Sequence, residues 1–136
     1  MRILTAKQIK AVEENAFETD STEAGLMLNA GTACFEKICK IFGECLVNSR
    51  VAVFCGNGKN AGDGFVIADL LNSINVNADI IICDKEPTVD EPKMYFDKAI
   101  ANGVKVVNFT DIGENSYDII VDCISVSYTH LTLPTI

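Results

Sequence analysis

The chain has 136 residues, of which 49% are hydrophobic and 22% charged, and its formal net charge at pH 7 is −8. This length is typical of one domain, and the high apolar content excludes a disordered chain. Acidic residues outnumber basic ones 19 to 11, which excludes nucleic-acid binding by phosphate neutralisation. No apolar run approaches the ~18–20 residues of a membrane span, and charge comes too early for a signal peptide. We expect a cytoplasmic domain without nucleic-acid or membrane partners.

Six cysteines raise the question of a disulfide framework or a metal site. Their spacings contain no C-x-x-C pair, and His130 is the only histidine, so a zinc cluster has little support. Without a signal peptide, reduced thiols in a core are the better interpretation. Cys55, Cys83 and Cys123 each end an apolar run, which predicts small buried strand residues.

Helical patterns come first along the chain. A capping box at residues 5–8 (TAKQ) precedes apolar residues at helical spacing and predicts a helix over about 6–17. A second helix is predicted over 24–42, with Gly43 as its stop. We expect these two helices to precede the first strand and to pack on the sheet or on a partner subunit.

After residue 50 the pattern changes to short apolar runs alternating with helical segments. The predicted elements are strands at 51–55, 78–83, 104–109 and 117–123 and helices through 65–71 and over 93–101. Continuous apolar runs are typical of strands buried on both faces, and strand–helix alternation implies crossover connections. The pattern therefore predicts an α/β three-layer fold with a parallel sheet.

The segment GNGKNAGDG at residues 56–64 follows the first predicted strand, where open parallel sheets bind their ligands. A Walker phosphate loop does not fit, because Val53 stands where its first Gly belongs and Asn60 where its hydroxyl belongs.

A dinucleotide fingerprint fits this segment better. Gly56, Gly58 and Ala61 match G-x-G-x-x-A, and Asp84 at the end of the next strand is a candidate ribose partner. However, Asp63 is expected where the next helix starts, and its carboxylate would compete there with a pyrophosphate.

A third interpretation concerns the polar side chains of this segment. Lys59 could contact a phosphate, Asp63 could accept from a ribose or ring hydroxyl, and the Asn60 oxygen could face a hard cation. The alternative is that Asn60 caps the helix, Asp63 lies in its first turn, and nothing binds. That alternative leaves the concentration of Gly residues unexplained.

Three segments carry a resemblance to the NAD(P)H-hydrate epimerases. The loop at 56–64 is similar to their Gly-x-Gly-Asn-Asn-Gly-Gly-Asp-Gly loop. Residues 26–31 (LMLNAG) resemble a Leu-Met-Glu-x-Ala-Gly helix segment, and residues 117–124 (YDIIVDCI) an Asp-x-Ile-Val-Asp-Ala strand. Order and spacing match over residues 1 to about 124.

The resemblance implies a Rossmann-like fold with a mostly parallel sheet. It also implies an enzyme that epimerises the R and S forms of hydrated NADH or NADPH. These hydrates are damaged cofactors, which a dehydratase then repairs. The resemblance further implies a potassium ion bound by Asn60 and Asp122, and a substrate-binding stretch of Lys59, Asn60, Ala61, Gly62 and Asp63. The chain departs from the family pattern at Lys59 (Asn in the family), Ala61 (Gly) and Asn29 (Glu). Lys59 adds positive charge beside a pyrophosphate-bearing substrate.

The resemblance stops after Ile124, where the family continues with a Gly-Thr-Gly loop and later an Asp-x-Pro-Ser-Gly segment. Residues 126–135 instead resemble a translated transposase-end sequencing adapter. We therefore expect residues 1–124 to be the N-terminal portion of an epimerase domain whose C-terminal part is missing, and 125–136 to be a non-native tail. Such a fragment should have little or no activity and should self-associate, as a homodimer, through an open sheet edge.

Two other function classes remain open: a conventional dinucleotide-binding domain that binds intact NADH, and a non-catalytic scaffold of the same fold. The epimerase interpretation includes fusion to, or cooperation with, an ADP/ATP-dependent hydrate dehydratase.

Overall fold

The computed structural model describes residues 2–4, 23–88, 90–113 and 116–124. Its strands and long helices, in chain order, are β1 (Arg2–Leu4), α1 (Glu23–Phe42), β2 (Arg50–Cys55), α2 (Lys59–Ser73), β3 (Asn77–Ile82), α3 (Asp90–Ala101), β4 (Lys105–Asn108) and β5 (Ile119–Cys123). Short 3-10 helices follow α1 at Gly43–Asn48 and β4 at Phe109–Asp111. The helix predicted over 6–17 and the tail predicted at 125–136 lie outside the described residues.

The sheet has five strands in the order β1-β5-β2-β3-β4, and every described pairing is parallel. From β2 the chain proceeds outward through β3 to β4, and it then returns to place β5 on the other side of β2. The strand order therefore reverses between β5 and β2, which is the position where open α/β sheets form a ligand crevice. The predicted α/β class with a parallel sheet is confirmed.

Four strands and three helices lie within a few residues of their predicted positions, but β1 was not predicted. Its three residues pair with β5 at Ile119–Val121. A run this short carries no periodicity of its own, and its extended conformation depends on a partner that is more than a hundred residues away in sequence. The first described element is consequently a strand and not one of the two predicted helices.

Helices α1, α2 and α3 pack on one face of the sheet. Their buried side chains form one core cluster with alternate strand residues such as Val51, Val53 and Val121. The rings of Phe65 and Phe96 lie 5.0 Å apart and join α2 to α3. A second, smaller cluster on the other face contains none of the residues of these helices. Within the described residues, no helix is long and apolar enough to cross a membrane.

Polar contacts at the amino-terminal edge of the sheet fix β5 against β2. The Asp118 amide donates to the Arg50 carbonyl over 2.8 Å, and the Arg50 amide donates to Asp118 Oδ2 over 2.9 Å. The Arg50 guanidinium lies 4.8 Å from the centre of the Tyr117 ring, whose hydroxyl donates to Asp79 Oδ2 over 2.8 Å. Burial and the Asp79 carboxylate raise the pKa of Tyr117 to about 12. These contacts help set the β2–β5 register at the point where the strand order reverses.

Glycines allow the first turns of α2 to approach both the sheet and α1. A Cβ at Gly64 would lie 2.7 Å from Cys55 Sγ and 3.1 Å from Cys123 Cβ, and one at Gly62 would overlap the Met27 side chain. A Cβ at Gly31 on α1 would lie 2.6 Å from Val66. Gly64 is therefore explained by the packing of α2 on the sheet, and Gly62 by the close contact of α2 with Met27 on α1.

We expect Gly64→Val to lower the free energy of unfolding by at least about 2 kcal/mol, because the added side chain overpacks the β2–β5–α2 contact. Gly58→Ser is the control, since a Cβ at Gly58 meets no described atom within 4 Å and a serine hydroxyl can cap α2. Urea unfolding followed by circular dichroism measures both variants. Wild-type stability in Gly64→Val would contradict the close packing described here.

Candidate functional site

A cleft of about 530 Å³ lies at the carboxyl edge of the sheet, beside the reversal of strand order. It is lined by residues 56–60 after β2, by Cys83 and Asp84 after β3, and by Ile124 after β5. The ends of three neighbouring parallel strands therefore contribute to one concave surface. This is the expected position of a ligand site in such a sheet.

Gly56 brings the end of β2 against the backbone that leaves β5. Its amide donates to the Cys123 carbonyl over 3.3 Å, and a Cβ at this position would overlap the Ile124 carbonyl oxygen. On the β3 side, the Cys83 amide donates to the Cys55 carbonyl over 3.0 Å. Gly56 is required here because any side chain would separate the two walls of the cleft.

Helix α2 starts at Lys59, and its N-cap is Gly58 in an extended conformation with no side-chain cap. The alternative in which Asn60 caps this helix is therefore wrong, because Asn60 is already its second residue. Asp63 is the fifth residue and lies in neither the cap nor the first turn. The Ala61 amide donates to the Gly58 carbonyl over 3.1 Å, and its helical backbone needs no conformation reserved for glycine.

The structure divides the predicted substrate-binding residues into two groups. Lys59 is exposed and Asn60 is 8% exposed, and both line the cleft. Ala61, Gly62 and Asp63 are buried and are not among the residues that line it.

The Asp63 carboxylate lies on the helical side of the sheet among buried thiols. Burial, with a smaller contribution from Asp63, raises the pKa of Cys34 to about 12. The pKa of Cys55 and of Cys123 is raised by burial and by neighbouring groups that include Asp63. A carboxylate in this position does not compete with an anion in the cleft, so the expected conflict between Asp63 and a pyrophosphate is absent.

The cysteines are free thiols, as predicted, but Cys45 is exposed and Cys39 is half-buried, so the expected core position is wrong for these two. Cys34, Cys55 and Cys123 are buried, whereas Cys83 is half-buried, follows the last residue of β3 and lines the cleft. The prediction of a core strand position for Cys83 is therefore wrong. The strand pairing explains its position: Ile82 pairs with Cys55, so Cys83 comes next to Gly56.

Asp122 is a carboxylate on β5 that is 1% exposed. Its Oδ1 accepts a hydrogen bond from the Ile124 amide over 3.1 Å, while Oδ2 is fully buried and has no hydrogen-bond partner among the described residues. Burial raises the pKa of Asp122, and the bond from Ile124 opposes that shift. Burial, followed by the Asp122 carboxylate, raises the pKa of the cleft residue Cys83 to about 11.

These donors fit a hard cation. A buried carboxylate oxygen without a partner leaves uncompensated negative charge, and Asn60 adds a nearly buried amide at the same edge of the sheet. Oxygen donors suit hard cations, whereas zinc prefers His and Cys. The described residues contain no group of three or more His, Cys, Asp or Glu side chains able to hold a metal ion.

Comparison with curated proteins finds relatives among nucleotide repair enzymes. The chain is 34% identical over 87 residues to a bifunctional NAD(P)H-hydrate repair enzyme Nnr of Methanocaldococcus jannaschii, a match that covers 64% of this chain and 16% of that protein. It is 41% identical over 71 residues to an NAD(P)H-hydrate epimerase of Roseobacter litoralis, covering 51% of this chain and 31% of that protein. The matched segments thus span less than a third of these relatives.

A solved structure shares the fold. The crystal structure of yeast ynu0, YNL200c, superposes with a TM-score of 0.66 at 22% sequence identity, covering 92% of this chain and 57% of the yeast chain. A family model described as YjeF-related protein N-terminus matches residues 23–133. Since this match covers most of the chain, the chain belongs to the YjeF-related protein N-terminus family.

Proposed function

We propose that this domain interconverts the R and S forms of hydrated NADH and NADPH, as an isomerase in nicotinamide nucleotide repair. The observation that carries the proposal is the cleft itself: the polar turn at residues 57–60 faces it, and the buried Asp122 lies on β5 at the same sheet edge. The names of the relatives, an epimerase and a hydrate repair enzyme, support the same reaction.

The first turn of α2 is the proposed phosphate-binding wall. Helix N-termini direct amides and positive partial charge toward anions, and Lys59 adds a full positive charge at the same position. A substrate-binding role stays a prediction for Ala61, Gly62 and Asp63. These residues are buried behind this wall, where they hold α2 in place.

We propose that Asn60 and Asp122 hold a potassium ion. The cation would supply positive charge that neutralises the buried carboxylate and attracts oxygen atoms of the substrate. Asp122 and Asn60 would orient the substrate at the β5 side of the cleft, while Lys59 and the α2 amides bind its phosphates. Burial of Asn60 and Asp122 excludes water and strengthens their electrostatic attraction to the cation.

We propose two protein partners for this domain: a second copy of itself, with which it forms a homodimer, and a dehydratase. The M. jannaschii relative is named bifunctional, and the match covers 16% of its length. We therefore propose that the domain acts with an ADP/ATP-dependent hydrate dehydratase, fused or separate. We also propose that the epimerase-domain portion ends after Ile124 and that residues 125–136 are a non-native tail.

Asp122→Asn should raise the free energy of unfolding by about 1–3 kcal/mol in potassium-free buffer at about pH 8, because it removes an uncompensated buried charge. The raised pKa means that the fold favours the protonated carboxyl, so the penalty grows as pH rises above the ordinary value of 3.8 toward the folded pKa. The gain should therefore shrink toward about pH 4. Asp97→Asn, an exposed change on α3, is the control. Urea titrations that show no gain at high pH would contradict the buried, uncompensated charge.

Potassium should stabilise the wild type but not Asp122→Asn. A potassium concentration 100 times the Kd raises the free energy of unfolding by about 2.7 kcal/mol. Thermal unfolding in potassium chloride, compared with choline chloride at equal ionic strength, separates binding from screening. Asn60→Ala should weaken the effect, and Asn48→Ala, an exposed change before β2, should leave it intact. Equal responses to both salts would refute the cation site.

Hydrated NADH should bind the chain about tenfold or more tightly than intact NADH, because a site that pairs with the added hydroxyl loses a partner when it is absent. Equilibrium dialysis with each dinucleotide measures the ratio. Chromatography that separates the R and S forms measures epimerisation. It is applied to this chain and to the longer gene product, which is obtained after the source gene has been resequenced past codon 124.

The outcomes separate the three function classes. Tighter binding of intact NADH would point to a conventional dinucleotide-binding domain, and no binding of either form to a scaffold. Epimerisation by the longer gene product, lost on Asp122→Asn and kept on Asp97→Asn, is the result expected of an epimerase.

A further inference from the structure

Asp84 is a cleft residue to which the proposed reaction gives no role. It is exposed, it follows β3 directly after Cys83, and it lines the same cleft as Lys59 and Asn60. None of the described residues forms a hydrogen bond or an ion pair with it. A carboxylate that faces a ligand cleft without a protein partner is available to accept hydrogen bonds from a ligand.

The topology places Asp84 just after the strand that follows the helix bearing Lys59. β2, α2 and β3 form a parallel βαβ unit in which the cleft spans the start of α2 and the end of β3. A phosphate bound at the start of such a helix brings the adjoining ribose to the end of the next strand, where an acidic side chain accepts from the ribose hydroxyls. Lys59 and Asp84 correspond to these two positions.

From this placement we propose that Asp84 binds the 2′- and 3′-hydroxyls of the adenosine ribose and makes the site selective for hydrated NADH over hydrated NADPH. The inference rests on the proposed function, because it uses the same cleft and substrate class. A 2′-phosphate removes one hydroxyl donor and brings negative charge to the carboxylate. Both changes disfavour the phosphorylated form, whereas an arginine in this position would favour it.

Equilibrium dialysis of the 136-residue chain with hydrated NADH and hydrated NADPH tests the selectivity. The wild type should bind hydrated NADH about tenfold or more tightly. Asp84→Asn should reduce the ratio to about threefold or less, mainly by improving the binding of hydrated NADPH, because the amide carries no charge. Glu86→Gln, which removes one charge from an exposed residue of the same loop outside the cleft, should leave the ratio unchanged.

ADP-ribose and its 2′-phosphate distinguish this proposal from the proposed function, since they lack the nicotinamide ring. A preference for ADP-ribose that Asp84→Asn removes supports the ribose contact even if no epimerisation is ever detected. Three outcomes would overturn the proposal. The first is equal binding of hydrated NADH and hydrated NADPH, and the second is a ratio of these two affinities that Asp84→Asn does not change. The third is no binding of any of these ligands. Epimerase activity with equal use of both hydrates would leave the proposed function standing and refute the role of Asp84.

Discussion

The close contact of α2 with the strand ends at β2 and β5 is the constraint on which the site depends. Gly64 lies against Cys55 and Cys123, and Gly56 lies against the backbone at Ile124. Because neither position has room for a side chain, the start of α2 is held at the reversal of strand order. The cleft forms between this helix start and the ends of the neighbouring strands.

Two buried carboxylates flank this contact on different sides of the sheet. Asp63 faces the helices among buried thiols, and Asp122 lies near the cleft residue Cys83, whose pKa it raises. Burying charge is costly, and a fold keeps such groups where they serve a ligand or a specific network. For Asp122, the proposed cation would compensate the partly unsatisfied carboxylate, which links the energetics of the fold to its proposed chemistry.

Much of the fold follows from local patterns. Continuous apolar runs predict β2, β3, β4 and β5 within two residues, and Gly43 and Gly103 take the positive φ angles of +53° and +92° expected of helix stops. β1 could not be predicted, because a three-residue strand exists through its pairing with β5. Of the predicted substrate-binding residues, Lys59 and Asn60 line the cleft, whereas Ala61, Gly62 and Asp63 do not, since a helix directs successive side chains to different sides.

The sequence by itself determined the α/β class, the position of the loop after β2 and the family, because strand and helix periodicity and a nine-residue motif are local properties. Only the tertiary structure decided that the half-buried Cys83 lines the cleft, that Gly62 and Gly64 serve packing, and that Asp122 is buried with an unsatisfied oxygen. Each of these depends on strand register and on contacts between segments that lie far apart in the chain, and no local pattern records such contacts.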